Sequence, residues 1–483
     1  MRLAQLLRDV DSAEVHGTSD VDLHRITRDS REAGDGVIWV AIRGANFDGH
    51  DVAAQISGGV AVLERPLDLG QDVTRVVVPS TRLALAQLSA ALHGHPARRL
   101  PVVGVTGTNG KTTVTSLCAG AMAALSRKAG RIGTLGAAWG AREVSTGLTT
   151  PEPTQLHSLL ADMEQAGCEA AFLEVSSIAL DQQRVEALPF HTVLFTNLSR
   201  DHLDFHGTMD AYAASKAQLF AEERLRPAGG APRAILCADD PAWSAMNPPD
   251  DRWLYGTDPD CDLWLESIKP GRDGQQVRVR LPDGSRVSLR SHLVGGFNAL
   301  NQVAALALLR TVGLTWEQGV EALGRVQAVP GRLEAVPNDR GVKVYVDYAH
   351  TPDAVTAALE SLRPLTGGQV WVIFGCGGDR DPGKRPEMGR VAAAGADRVV
   401  ITSDNPRSED PLQIIDQIVA GVAEPVSDRV HVEADRREAI RYALAGAAPG
   451  DVVLIAGKGH EATQDIAGEK HAFDDRVVAV EVQ

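Results

Sequence analysis

Short apolar runs alternate with segments of helical period along most of the chain. In the middle of the sequence, "VVGV" (102–105), "AAFLEV" (170–175), "TVLFTN" (192–197) and "RAILCA" (233–238) are almost unbroken apolar stretches. Runs of that length read as strands buried on both faces. Between most of them lie helical patterns. After the first run, Val114, Leu117, Cys118, Ala121, Met122 and Leu125 fall at i, i+3, i+4 spacing, which predicts one buried helix face. "NALNQVAALALLRTVG" (298–313) predicts another helix, and "QQVRVRLPDGSRVSLRS" (275–291) alternates with period two around "PDG" and predicts a hairpin. A second series of strands follows from about residue 329, with "VKVYVD", "VWVIFG", "RVVITS" and "DVVLIAG". Before residue 97 the strands "GVIWVAI", "VAVLE" and "TRVVVP" precede a closing helix, "RLALAQLSAALHG" (82–94), and "HPARRLP" (95–101) reads as a linker. The pattern predicts an α/β protein of three domains, at 1–97, 98–328 and 329–483, with mostly parallel sheets covered by helices.

Length agrees, since 483 residues exceed a single core. The composition, 44% hydrophobic and 23% charged, is that of a globular protein. A formal net charge of −15 argues against nucleic acid or an acidic membrane surface as partner, while leaving room for a local basic pocket. No run is long enough to span a membrane, and "MRLAQLLRDVDSAEVHG" is too charged for a signal peptide. Five scattered cysteines (118, 168, 237, 261, 376) without metal spacing fit reduced thiols in the cytoplasm.

The chemistry is expected where strands end. "GVTGTNGKTT" (104–113) joins the first central strand to its helix. A glycine turn there aims backbone N–H groups and a helix N-terminus at one point, Lys111 adds a full charge, and Thr112 or Thr113 offers a hydroxyl to a magnesium ion. Val105 stands where the standard phosphate loop has its first glycine, with Gly104 and Gly107 flanking it. "EVSS" (174–177) and "TNLSRDHLDFHG" (196–207) close the next strands and gather Glu174, Asp201, His202 and Asp204 near the same point. His202 and His206 have zinc spacing but lack a third ligand, and "GCGGDR" (375–380) has Arg380 where a dinucleotide fingerprint needs glycine, so zinc and nicotinamide are both rejected. "DRDPGKRPEMGR" (379–390) and "SDNPRSED" (403–410) place Arg380, Lys384, Arg385 and Arg407 on one basic rim suited to a carboxylate.

Taken together, "GTNGKTT", "EVSS", "TNLSRDHLDFHG", "GGFNALN" (295–301), "PGRLE", "VDYAHTPD" (346–353), "GCGGDRDPGKRP", "DNPR" and "GKGHE" (457–461) resemble the Mur ligases, in that family's order and across nearly the whole chain. "TRDSREAGDGVIWVAIRG" (27–44) is similar to the family's uridine-nucleotide-binding domain, and "DNPR" to the branch that adds meso-2,6-diaminopimelate. Ile178 stands where the family often has histidine.

The resemblance implies an N-terminal uridine-nucleotide-binding α/β domain, a central P-loop ATPase domain and a C-terminal Rossmann-like domain. It implies ATP and Mg²⁺ as cofactors, and UDP-N-acetylmuramoyl-L-alanyl-D-glutamate and meso-2,6-diaminopimelate as substrates, joined through an acyl phosphate by a cytoplasmic monomer. The implied catalytic residues are Lys111, Glu174, His202 and a carbamylated Lys216. ATP would meet Gly107, Thr108, Asn109, Gly110, Lys111, Thr112, Thr113, Asn298, Arg332, Asp347 and His350, with Asn301 as a further candidate. The nucleotide-linked dipeptide would meet Ser30, Thr149, Thr150, Ser176, Gln182 and Arg184. Diaminopimelate would meet Arg380, Asp404, Asn405, Pro406, Arg407, Gly457 and Glu461, and the metal Thr112, Glu174, His202 and Lys216. Lysine or another diamine as the added group, a folylpolyglutamate synthetase, and a nucleotide-binding regulator without catalysis remain as alternatives.

Overall fold

A computed structural model describes residues 1–44, 47–227, 229–271, 274–422 and 429–482. Three α/β units follow one another along the chain, each built on its own sheet. The first sheet has five strands, in the order Glu14–His16, Thr74–Val77, Val60–Leu63, Val37–Val40, Arg25–Thr27. Its central strands are buried along their whole length, which is why the sequence shows them as continuous apolar runs. The helix Thr81–Leu92 closes the unit, capped by the Ser80 hydroxyl, which accepts from Leu83 N–H.

The second sheet has eleven strands. From Leu263–Gly271 through Arg252–Gly256, Ala234–Cys237, Thr192–Phe195, Val102–Thr106 and Ala170–Glu174 to Ala129–Gly133, neighbours all run parallel. Antiparallel strands extend both edges. On one side lie Gly274–Arg280 and Arg286–Ser291, the predicted hairpin, and on the other Gly136–Trp139 and Arg142–Val144. The helices Lys111–Ala124 and Gly296–Thr311 cover one face around Val114, Leu117, Cys118, Ala121 and Met122, all buried as predicted, and Pro153–Gln165 packs against the other. Val102–Thr106 pairs with Ala170–Glu174 on one side and Thr192–Phe195 on the other. The order of connection reverses around it, so a crevice opens beyond its carboxyl end.

The third sheet runs Glu334–Val336, Lys343–Asp347, Val452–Ala456, Val370–Phe374, Arg398–Ile401, Val430–Val432, parallel except for the first pair. Its strand ends carry "YAHTPD", "GCGGDR", "SDNPR" and "GKGHE". Residues 95–101 are more than a tether. Ala97 and Leu100 are buried in the central core, and the Arg226 guanidinium donates to the carbonyls of both, 2.8 Å from that of Leu100. Proline and charge in "HPARRLP" mark a bend, but its apolar residues hold it down.

Candidate functional site

The phosphate loop turns where only glycine fits. Gly107 has φ 143°, and a Cβ there would stand 1.8 Å from Thr196 Oγ1. Lys111, the first residue of its helix, donates 2.8 Å hydrogen bonds to the carbonyls of Gly107 and Thr108. Burial lowers its pKa, with the charges of Glu174 and Asp201 opposing. Asn197 shapes the loop from the neighbouring strand: its carbonyl accepts from Thr108 N–H at 2.8 Å and its Oδ1 from Asn109 N–H at 2.9 Å. The reading from sequence missed this residue, although it lies inside the "TNLSRD" segment.

Glu174 ends its strand 1% exposed, directly beside the loop. Its carboxylate accepts from the Thr112 hydroxyl at 2.9 Å and from both the N–H and the hydroxyl of Thr134 at 3.0 Å. Thr134, in turn, is 3.1 Å from Thr149 Oγ1. Lys216 is buried under the loop, donates to Gly107 O at 2.9 Å and lies over the Tyr212 ring. Burial, with the nearby charge of Lys111, holds its pKa well below the usual lysine value. His202, at φ 54°, is 3.5 Å from Asp201. Burial lowers its pKa to about 4, so its imidazole is neutral at pH 7. His206 instead bonds Ser177 Oγ at 2.9 Å and pairs with Asp181.

A cavity of about 660 Å³ lies above the loop, lined by Thr108–Thr113, Glu174, Ser176, Thr149 and His202 from the central unit and by Arg332, Asp347 and His350 from the third. Arg332 donates to Thr112 Oγ1 at 3.1 Å and stacks on Tyr348. Asp347 accepts from Leu333 N–H at 2.6 Å and Ala349 N–H at 2.8 Å, and burial raises its pKa. His350 approaches Asp201 at 3.8 Å. Burial alone would raise the Asp201 carboxyl, but His350, His202 and Lys384 outweigh it and hold the pKa low. Asn298 is turned away, fully buried with its amide on Val294 O at 2.9 Å, and Asn301 is the polar residue of that helix that lines the cavity, beside Phe297 and Leu300.

The donor set fits a hard cation. Oxygens of Thr112 and Glu174 and the neutral His202 stand together, yet no preformed cluster of three His, Cys, Asp or Glu exists among the described residues. Mg²⁺ is typically held in this way, by one or two carboxylates plus the substrate's phosphates.

Toward the first unit, Thr150 Oγ1 donates to Glu174 O at 2.8 Å and accepts from Ser176 N–H at 3.0 Å. Arg184 donates to Thr150 O at 3.1 Å and Gln182 Oε1 at 2.6 Å, and pairs with Glu152. Glu152 also meets Arg28 of the first unit at 3.4 Å, just ahead of the Ser30–Glu32 turn.

In the third unit, Asn405 Nδ2 donates to Glu461 at 2.8 Å, while its Oδ1 accepts from Lys458 at 3.1 Å and Asp465 N–H at 3.0 Å. Asp404 is buried, accepts from Asn405 N–H at 2.7 Å, and lies so close to Gly457 that a Cβ there would be 2.4 Å from its Oδ2. The Pro406 carbonyl crowds Gly378 in the same way, at 1.9 Å. Arg407, at φ 52°, bonds the Gly378 carbonyl, and Arg380 is exposed. Of the predicted basic rim, Lys384 and Arg385 are in fact buried.

The chain belongs to the Mur ligase family. The family's middle domain matches residues 105–309 and its glutamate ligase domain residues 331–459. A protein of Geobacillus kaustophilus named UDP-N-acetylmuramoyl-L-alanyl-D-glutamate–2,6-diaminopimelate ligase is 42% identical over 485 residues, covering 99% of this chain and 98% of that one. A solved structure of an enzyme of that name aligns with 100% of this chain and 98% of its own, at 31% identity and a TM-score of 0.70. The MurF ligase of Thermotoga maritima, solved in complex with ADP, shares the fold at 21% identity and a TM-score of 0.63, over 95% and 96% of the two chains.

Proposed function

We propose that the chain is an ATP-dependent ligase joining the D-glutamyl carboxylate of UDP-N-acetylmuramoyl-L-alanyl-D-glutamate to meso-2,6-diaminopimelate, for peptidoglycan precursor synthesis. The full-length similarity to relatives of that name supports it. The observation that carries it is the Arg332–Thr112 hydrogen bond, which sets the unit bearing "DNPR" directly onto the phosphate loop.

A carboxylate does not condense with an amine unaided, because oxide is too poor a leaving group. Transfer of the ATP γ-phosphoryl group to the D-glutamyl oxygen gives an acyl phosphate. The unprotonated amine of diaminopimelate then adds, and phosphate departs as the tetrahedral intermediate collapses. Lys111 and Arg332 supply cations at the phosphates, where charge-assisted bonds are the strong ones. The loop 107–113, with Asp347 and His350, holds ATP. Thr149, Thr150, Ser176, Gln182 and Arg184, with Ser30 across the junction, hold the dipeptide. Mg²⁺, on Thr112, Glu174, His202 and a carbamylated Lys216, would neutralise phosphate charge.

Burial lowers the pKa of Lys216 and so favours its neutral amine, the form that adds CO₂ with loss of a proton. Intact mass under native conditions with bicarbonate should therefore show one added CO₂, lost in Lys216→Ala together with activity. An active preparation without it would contradict the carbamate. The enzyme would work as a cytoplasmic monomer, and sedimentation at assay concentration checks the monomer. The reaction itself is tested by phosphate release, which should require ATP, the nucleotide-linked dipeptide and diaminopimelate together. No release with all three present would overturn the proposal.

A further inference from the structure

The loops that carry "SDNPR" and "GKGHE" follow strands that are not neighbours. Arg398–Ile401 and Val452–Ala456 are separated in the sheet by Val370–Phe374, so no ladder bond sets one strand end against the other. The intervening strand ends in a glycine that lets the loops close over it: a Cβ on Gly375 would stand 2.3 Å from Thr402 O. The loops meet through Asn405, which bonds Glu461 and Lys458, and Gln464, further on, donates to Asp404 O at 2.7 Å. They are also tied by one buried guanidinium.

Arg436 is 2% exposed and opens the helix Arg436–Gly446. Its Nη1 donates to Ser403 O at 3.3 Å and its Nη2 to Ala456 O at 2.9 Å. Ser403 immediately precedes Asp404, and Ala456 immediately precedes Gly457. Asp475, fully buried at the start of the helix Asp475–Glu481, accepts from Nε at 2.8 Å and from Nη2 at 2.7 Å, which fixes the plane of the fork. Burial acts to lower the pKa of Arg436, but Asp475, with Asp404 and Glu461 behind it, outweighs burial and keeps the cation charged. Stability does not select this arrangement. A cation in the first turn of a helix opposes the helix dipole. A fully buried ion pair is often no more stabilising than apolar side chains of similar volume. What distinguishes the guanidinium is that it reaches both loops at once.

We propose that Arg436 and Asp475 are positioning residues that hold the loops 403–407 and 456–461 at the spacing the added amino acid requires. The inference rests on the ligase reading above, in which Asp404, Asn405 and Arg407 from one loop and Gly457 and Glu461 from the other meet diaminopimelate. When the ligand enters, Asn405 and Glu461 turn polar atoms to it, and their mutual bond no longer sets the spacing. The bonds from Arg436 do not depend on the ligand. Loops held in advance need less ordering on binding, so the pair acts on affinity for the amino acid.

The experiment measures kcat, and KM for diaminopimelate, ATP and the nucleotide-linked dipeptide, in wild type, Asp475→Asn and the double variant Arg436→Leu with Asp475→Leu. Asp475→Asn keeps the shape of the side chain but sets an amide N–H against a guanidinium N–H, which frees the fork. Both variants should raise KM for diaminopimelate on the order of 10-fold, with kcat at saturating diaminopimelate and the other two KM values near those of wild type. If circular dichroism shows the leucine variant unfolded, Asp475→Asn carries the test alone. A fall in kcat with every KM unchanged, a parallel rise in KM for ATP, or an Asp475→Asn protein that does not fold would each assign the pair to the fold and overturn the inference. An unchanged KM for diaminopimelate would overturn it too. A wild type that does not ligate diaminopimelate would defeat the ligase reading, whereas an active wild type whose variants leave that KM unmoved defeats only this one.

Discussion

Arg407 holds a left-handed backbone, φ 52°, because its own N–H donates to Asp465 O at 3.0 Å and its carbonyl accepts from Ala467 N–H at 2.7 Å. Those two bonds splice the residue onto the strand Thr463–Ile466, and they fix where the guanidinium starts. In the structure it rests on the Gly378 carbonyl, a weak partner for a charge that is free to take a carboxylate. Truncating one side of a desolvated ion pair costs roughly 3–5 kcal/mol. Arg407→Ala should thus lower kcat/KM for diaminopimelate by about a hundredfold or more, and the preference over lysine should narrow. Equal losses with both amino acids would sink that role. At this scale the sequence was most legible where residue type alone dictates chemistry: Lys111, Glu174 and Arg332 stand in or around one cavity. It was least legible where rotation about a helix decides. Asn298 and Asn301 share a helix, but Asn298 bonds back to Val294 while Asn301 faces the cavity. Lys384 and Arg385 likewise carry charges that suggest solvent, and only the fold reveals that both are buried.

The elements themselves were legible when both faces are buried, since continuous apolar runs such as "AAFLEV" and "DVVLIAG" have no other reading at that length. The strands Gly136–Trp139 and Arg142–Val144 were not, because both are short and glycine-flanked and the second, at the sheet edge, is exposed or half-exposed throughout. One helix carries a titration that the sequence did not suggest. His157, on Pro153–Gln165, is fully buried where that helix meets Thr81–Leu92 of the first unit, and neither ring nitrogen has a hydrogen-bond partner. Burial, with His93 and His95 nearby, lowers its pKa to about 3 from 6.5. The unfolded chain therefore binds the proton more readily, and stability falls as pH drops through 6.5 toward about 3. Between pH 7 and pH 5 this group alone should cost about 2 kcal/mol. His157→Leu should lose correspondingly less stability over that interval in denaturant titrations. The same slope in both proteins would contradict this account.

For the whole molecule, three contacts draw the third unit onto the central one: Arg332 to Thr112 at 3.1 Å, Arg200 to Asp381 at 3.2 Å and His350 to Asp201 at 3.8 Å. The last two join a strand-end loop to a strand-end loop, and the first joins the segment before Glu334–Val336 to the first turn of the helix after the phosphate loop, so the cavity is a shared property of two units. That is why neither half of the sequence displays it alone, although both display their strand ends. A short-lived mixed anhydride formed there requires exclusion of water. The most direct test follows one oxygen atom. With the D-glutamyl carboxylate labelled with ¹⁸O, and ATP and diaminopimelate supplied, the account predicts one labelled oxygen in each inorganic phosphate released and one new amide for each phosphate. Label appearing in AMP, or unlabelled phosphate released alongside the amide, would contradict it.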